Sequence, residues 1–506
     1  MTQLLLVTSP RQMLLIAAAI DHGALPPAPH GRVVVLADTV PVPETGPELA
    51  TSVALAALTR RGARVVSWTA TIAPLRPESF VPRRDEQPVW ERFLRERWLL
   101  TDGRVDLVLA DPAHGPGRAL ARVFPHARLV LLADRLDAWA PARRRLRDGL
   151  PERIDSLVAP ELLPGLRPHS LDEHGTRTVV VPVRRLVDVV AEVVRLDAPG
   201  RPSAHHDAAL VLVDAPADLG LHDGDSAGAP TGHDPAALAD RLAGLVADEV
   251  RGAGLGRAVL VVHPRSTPDQ VRRTACTLRA AGVEVTFLDD DVPAEVVVVR
   301  DAPRLVVGTA STALVTALAL GAHDVRAVGT ADVLDALTPY HHPARTGLTV
   351  TDRLLSPGAD PSASEVVLLL EAVMYVMHPD RVPHLRPATI ALLRAEQGTD
   401  AEGRPAWRRW IRKRRLERLG LLGATGTGAD LEHAADLELV SEHEHAAVPG
   451  ASSGGRTAAG LGRPGPTRPE HVVASPRITD DPPRRPYRLQ LALQRLRARG
   501  PDRSGA

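Results

Sequence analysis

Up to residue 378, short apolar runs alternate with stretches of helical spacing, and a turn separates each pair. Gln3–Thr8, Arg32–Ala37, Arg64–Trp68, Asp106–Ala110 and Arg128–Ala133 read as strands. Pro10–Asp21, Glu48–Arg61, Trp90–Leu100 and Gly117–Phe124 read as the helices between them, with Trp90, Phe93, Leu94 and Trp98 spaced for one helical face. The rhythm pauses at Asp197–Asp207, a Pro/Gly/His stretch suited to a linker, and then resumes. Ala208–Val213, Arg257–Val262, Glu284–Leu288, Arg304–Gly308 and Asp324–Val328 are the next predicted strands. Pro235–Gly252, Thr267–Ala281, a short segment near Ala294, and Ser311–Leu320 are the helices that go with them. Strands apolar on both faces, alternating with helices, imply parallel sheets covered on both sides. The expected fold is α/β: two Rossmann-like, doubly wound halves, 1–198 and 199–378, facing a cleft. Ligands of such sheets bind beyond the carboxyl ends of the strands.

Beyond residue 378 the character changes. Glu402–Leu422 is densely basic and includes Trp407 and Trp410, Asp430–His445 is acidic and His-rich, and Pro449–Pro486 is rich in Gly, Pro, Ser, Thr and Arg. Such a composition predicts a largely disordered tail over 379–506. Within it, Leu489, Ala492, Leu493 and Leu496 lie at helical spacing among arginines, so Arg485–Arg499 reads as a short basic helix. The chain is formally neutral, but 379–506 has a surplus of seven positive charges and the preceding residues the matching deficit. Basic charge confined to the tail speaks against a nucleic-acid partner for the body. It suits the tail to contact an anionic membrane surface through Trp407, Trp410 and the arginines around them. With no apolar run long enough to span a bilayer, the expectation is a cytoplasmic protein, peripheral at the inner face of the plasma membrane.

Lys413 is the only lysine and Cys276 the only cysteine. A P-loop, a lysine Schiff base in the body, a disulfide framework and a thiolate metal site are therefore excluded. His205–His206, His341–His342 and the histidines at 433, 443 and 445 lack metal-ligand spacing, and Asp289–Asp291 reads as a loop. No metal is expected.

Four groups of residues fall at predicted strand ends. His263, Pro264 and Arg265 follow a strand, and a near-neutral imidazole there can donate a proton or pair with a phosphate. Gly308, Thr309, Ser311 and Thr312 end a strand and start a helix, where hydroxyls and N–H groups either cap the helix or hold an anion. Asp134 and Arg135 follow a strand of the first half; a carboxylate there can serve as a general base or as a cap. Ser9 and Gln12 flank Pro10 after the first strand, as an N-cap arrangement or an acceptor contact.

The order of these pieces resembles the bacterial alpha-2,8-polysialyltransferase family, which is related to the lipooligosaccharide sialyltransferases. Ser-Pro-x-Gln (9–12) comes first, then the acid Asp134, His263-Pro264, and Gly-x-x-Ser-Thr-Ala-Leu (308–314). Supporting stretches include 36–44, 118–124, 164–168 and Pro293-Ala294-Glu295. The resemblance implies a GT-B fold and a metal-independent, cofactor-free inverting transfer of sialic acid from CMP-sialic acid, a substrate, to a glycan acceptor. By the same resemblance Asp134 deprotonates the acceptor, and His263, Ser311 and Thr312 hold and release the CMP phosphate. Pro264, Arg265, Gly308, Thr309 and Glu295 fall on the donor side, and Ser9, Gln12 and Arg135 on the acceptor side. The chain departs from the family pattern at Ala133, where an acid is usual, at Arg135, where Gly is usual, and at Trp139, where Tyr is usual. A re-tasked, inactive nucleotide- or glycan-binding protein and a UDP-sugar epimerase-like enzyme are the alternatives.

Overall fold

The computed structural model describes residues 1–40, 49–141, 146, 149–197, 205–214, 234–263, 265–288, 292–396 and 405–422. Pro264, Asp289–Asp291 and everything after residue 422, including the basic helix expected at 485–499, lie outside the described residues.

Seven parallel strands form the first sheet: β1 (Thr2–Val7), β2 (Arg32–Leu36), β3 (Arg64–Ser67), β4 (Val105–Leu109), β5 (Arg128–Leu132), β6 (Ile154–Pro160) and β7 (Arg177–Val181). Their spatial order is β3-β2-β1-β4-β5-β6-β7. The second sheet has β8 (Ala209–Val213), β9 (Arg257–Val262), β10 (Glu284–Phe287), β11 (Leu305–Gly308) and β12 (Val325–Ala327), in the order β10-β9-β8-β11-β12. Every pairing is parallel. Each sheet reverses its winding once, at β1/β4 and at β8/β11, and these reversals are where a doubly wound sheet opens a crevice. The fold is the GT-B-like α/β architecture expected from the sequence, with two doubly wound sheets in one chain.

Central strands such as β1, β4 and β8 are buried along their whole length, as their largely Val/Leu content favours. Helix Pro10–His22 begins at a Ser9 cap with Pro at its first position and stops at Gly23, which has φ 75°. Each end thus follows from local chemistry. Gly117 is required by packing: a Cβ there would sit 1.9 Å from the Asp111 carbonyl oxygen. The two halves share apolar surface. Val296, on helix Ala294–Asp301 of the second half, is fully buried within the core of the first sheet.

Three expectations are corrected. β6 and β7 were not foreseen, although β7, with its Val179–Val181 run, is as long as β2 and β4. Helix 48–61 contracts to Leu55–Thr59 among the described residues. The packed body also extends past 378. Helix Arg386–Ala395 packs on helix Ala363–Met377, and 405–421 folds back with Trp407, Trp410, Ile411, Leu416 and Leu421 buried. The Trp410 indole N–H donates to Asp352 at 2.7 Å, and Arg409 pairs with the same carboxylate. Trp407 and Trp410 are therefore core residues and not membrane contacts; burial removes them from any surface.

Candidate active site

The carboxyl ends of β1 and β5 bring the first-half candidates together. Ser9 caps its helix and accepts from the Gln12 N–H. Gln12 turns back, and its Oε1 accepts from the Thr8 N–H at 2.8 Å. Its Nε2 then donates to the Asp134 carboxylate at 3.1 Å. The amide is thus held at both ends, which fixes its orientation.

Asp134 is 4% exposed. Burial raises its pKa above the ordinary carboxylate value, against the opposing charges of Arg135 and Arg11 and the Gln12 hydrogen bond. The fully buried Trp139 steadies the loop, its indole N–H donating to the Ala133 carbonyl at 3.2 Å. Arg135 grips Asp137 with two bonds, of 3.1 and 2.8 Å.

Second-half candidates reach the same seam by two routes. Arg11 donates through Nε to the Asp134 carbonyl at 2.9 Å and pairs through Nη1 with the buried Glu295. The Leu136 N–H donates to the Thr312 hydroxyl at 3.3 Å, so the acid loop touches the helix that starts at Thr312. Glu295, expected on the donor side, is therefore partnered by a first-half arginine. Arg11 was missed in the sequence, where it stands between two motif residues with no feature of its own.

Around β8 and β11 the geometry is more local. Ser311 caps its helix and accepts from the Ala313 N–H at 3.2 Å. The Thr309 and Ala310 N–H groups donate to the Asp214 carboxylate at 3.1 and 3.0 Å. Asp214, at the end of β8, was also missed. A carboxylate on two strand-end N–H groups at the point of winding reversal is a signal only the sheet order reveals. Gly308 is set by contact with the neighbouring strand: a Cβ would lie 3.0 Å from the Leu212 carbonyl oxygen. The His263 N–H donates to Val213, and its Nδ1 accepts from the Arg265 N–H at 3.2 Å, which leaves the ring proton on Nε2 in the neutral form. Ser266 ties the same turn to the β8 end, its hydroxyl donating to the Val213 carbonyl at 3.2 Å. Pro264 lies outside the described residues. A separate cavity of about 350 Å³, lined by Asp234, Arg241, Asp332 and Asp335 among others, shares no residue with this site.

Residues 257–323 match the family model described as alpha-2,8-polysialyltransferase. The match covers 67 of the 506 residues. It runs from β9 to the loop before β12 and holds His263, Glu295, Gly308, Thr309, Ser311 and Thr312. Together with the two-sheet fold, the match supports a glycosyltransferase-like reading of the chain. Comparison with curated protein sequences yields no match. Similar solved structures include a glycosyltransferase from Rickettsia africae ESF-5, at 10% identity and TM-score 0.30 over 76% of this chain and 95% of that one. MurG of Acinetobacter baumannii aligns at 12% identity and TM-score 0.28, over 78% and 98%. The UDP-N-acetylglucosamine 2-epimerase from Rickettsia bellii aligns at 9% and 0.32, over 61% and 73%.

Proposed function

We propose that this chain transfers sialic acid, or a related sugar, from a CMP-activated donor to a glycan hydroxyl by an inverting mechanism that needs no metal. The observation that carries the reading is the meeting of the acid loop with the family segment: Leu136 on Thr312, and Arg11 between Asp134 and Glu295. Asp134 takes the proton of the acceptor hydroxyl, whose oxygen attacks the anomeric carbon. The bond from that carbon to the CMP phosphate oxygen breaks, and CMP leaves as an anion. His263 donates from Nε2 to that phosphate, and Thr312 and Ser311 hold it. A raised pKa suits Asp134 as a base, because proton affinity grows with it. The carboxyl is enclosed, and the Gln12 amide holds it through Oδ2.

Incubation with a panel of CMP- and UDP-sugars, read as released nucleotide, tests the proposal. Release from a CMP-sugar, lost in His263→Ala and Asp134→Ala with folding intact, is the expected result. Turnover of UDP-sugars alone selects the epimerase-like alternative. Nucleotide binding without any turnover selects the inactive one, which Arg135, locked onto Asp137, favours.

The partners in this reading are the nucleotide-sugar donor, a glycan acceptor and an anionic membrane surface. Since Trp407 and Trp410 are buried, that last contact rests on charge: Arg408, Arg412, Lys413, Arg414 and Arg418 are exposed. Among the described residues no helix is long and apolar enough to cross a membrane. Co-sedimentation with anionic liposomes, screened by salt, is the expected behaviour; binding unchanged when these five residues become Gln would reject it.

A further inference from the structure

A second polar cluster lies outside the proposed transfer chemistry, where the loop after β6 meets the turn after helix Ala363–Met377. His169, Asp172 and His384 each present one donor atom, and these atoms lie within 4.8 Å of one another. His169 Nδ1 is 2.6 Å from Asp172 Oδ2, and His384 Nε2 is 3.4 Å from that same oxygen. The other His169 nitrogen, Nε2, faces the Glu371 carboxylate at 3.8 Å. Arg167 approaches Asp172 at 3.6 Å from a half-exposed position.

We propose that His169, Asp172 and His384 form a binding site for a zinc-class divalent ion that staples the first sheet's loop to the C-terminal helices. Two imidazoles and one carboxylate are a donor set that zinc favours, with a fourth position left for water. Bonds of about 2.0–2.1 Å at tetrahedral angles place ligand atoms roughly 3.3 Å apart. The Asp172–His384 separation already matches. The shorter His169–Asp172 hydrogen bond must widen by roughly 0.7 Å, a small side-chain rotation, when the ion replaces the shared proton.

His169 is 3% exposed and its own N–H is tied to the Trp139 carbonyl at 2.8 Å, so it enters the site pre-positioned. Glu371 stands where a carboxylate orients a metal-bound imidazole through its other nitrogen. His384, with its side chain 49% exposed, provides the route of entry. Arg167 has room to withdraw to solvent. No sequence spacing marks this group, because its members come from segments more than 200 residues apart.

The site is independent of the transfer reaction and is tested without it. The full chain, stripped with chelator, is titrated with Zn²⁺ by calorimetry and with Co²⁺ by visible absorption. Expected are one equivalent bound, a tetrahedral Co²⁺ spectrum and a higher melting temperature with Zn²⁺. His384→Ala, at a half-exposed position that leaves the fold standing, is expected to weaken Zn²⁺ binding at least ~10-fold, and Glu371→Gln by about 10-fold. The proposal is overturned if the wild-type chain takes up no stoichiometric ion. Zn²⁺ affinity unchanged in His384→Ala overturns it equally, and leaves the cluster a hydrogen-bonded latch.

Discussion

Asp134 pays for its enclosure in charge solvation, and this makes the carboxyl a poor place for a negative charge at rest. Replacing it with Asn keeps an acceptor for the Gln12 amide and removes the buried charge. Asp134→Asn is therefore expected to melt no lower than the wild type at neutral pH while losing donor turnover by at least ~100-fold, the usual reach of a general base. A lower melting temperature together with retained turnover would make Asp134 a structural residue only. His378 shows the opposite kind of perturbation. Burial first, then the charges of Arg381, His341 and Arg415, lower its pKa to about 4. The unfolded chain binds the proton below about pH 6.5, while the folded chain does so only near 4. Stability is fully present above about 6.5 and declines as pH falls toward 4. His378→Gln is expected to flatten that part of the denaturant-midpoint profile between pH 7 and 4.

Among the elements, the segment 405–421 decides where the body ends. Its alternation of exposed arginines with buried Trp407, Trp410, Ile411 and Leu416 is an amphipathic pattern satisfied by this chain's own helices. Helix Ala344–Leu355 supplies the anchor, Asp352, which also accepts from Thr330 and Ser356. Trp410→Ala removes a buried indole and one of Asp352's donors. A loss of about 3–5 kcal/mol in equilibrium unfolding is expected; a loss under about 1 kcal/mol would show that the segment is not part of the core. The sequence displays the tryptophans but not their destination. Trp and Arg clustered together fit a membrane surface as well as a folded strap, and only the presence of a buried acid across from Trp410 separates the two.

At the scale of the whole molecule, the seam between the sheets is held by Val296 in the first core and by the Arg11–Glu295 pair. Both partners are largely shielded, so removing one leaves the other charged and unpaired. Arg11→Ala and Glu295→Ala are each expected to destabilise by about 3 kcal/mol or more, and the double variant by much less than their sum. Strict additivity would mean that the pair does not couple the halves. In the candidate site, Asp134, Gln12, Glu295 and Thr312 were singled out by motif and do meet at this seam. Ser9 and Ser311, read as either caps or ligand contacts, both cap helices here. Arg11 and Asp214 carry no motif signal, because their partners lie 284 and about 95 residues along the chain.

What the sequence determined by itself is local and periodic. Short apolar runs alternating with helical stretches marked ten of the twelve strands among the described residues and the α/β class, the central strands being apolar on both faces. Ser-Pro and Thr-Pro pairs fixed the starts of helices Pro10–His22 and Pro268–Ala280, since a cap needs only the next three residues. The tertiary structure alone decided which polar groups face one another: Arg11 between Asp134 and Glu295, Asp214 on the β11 end, and His384 beside His169. Such pairings depend on where separate segments arrive in space. A charge or an imidazole leaves no periodic trace of its partner in the chain that carries it.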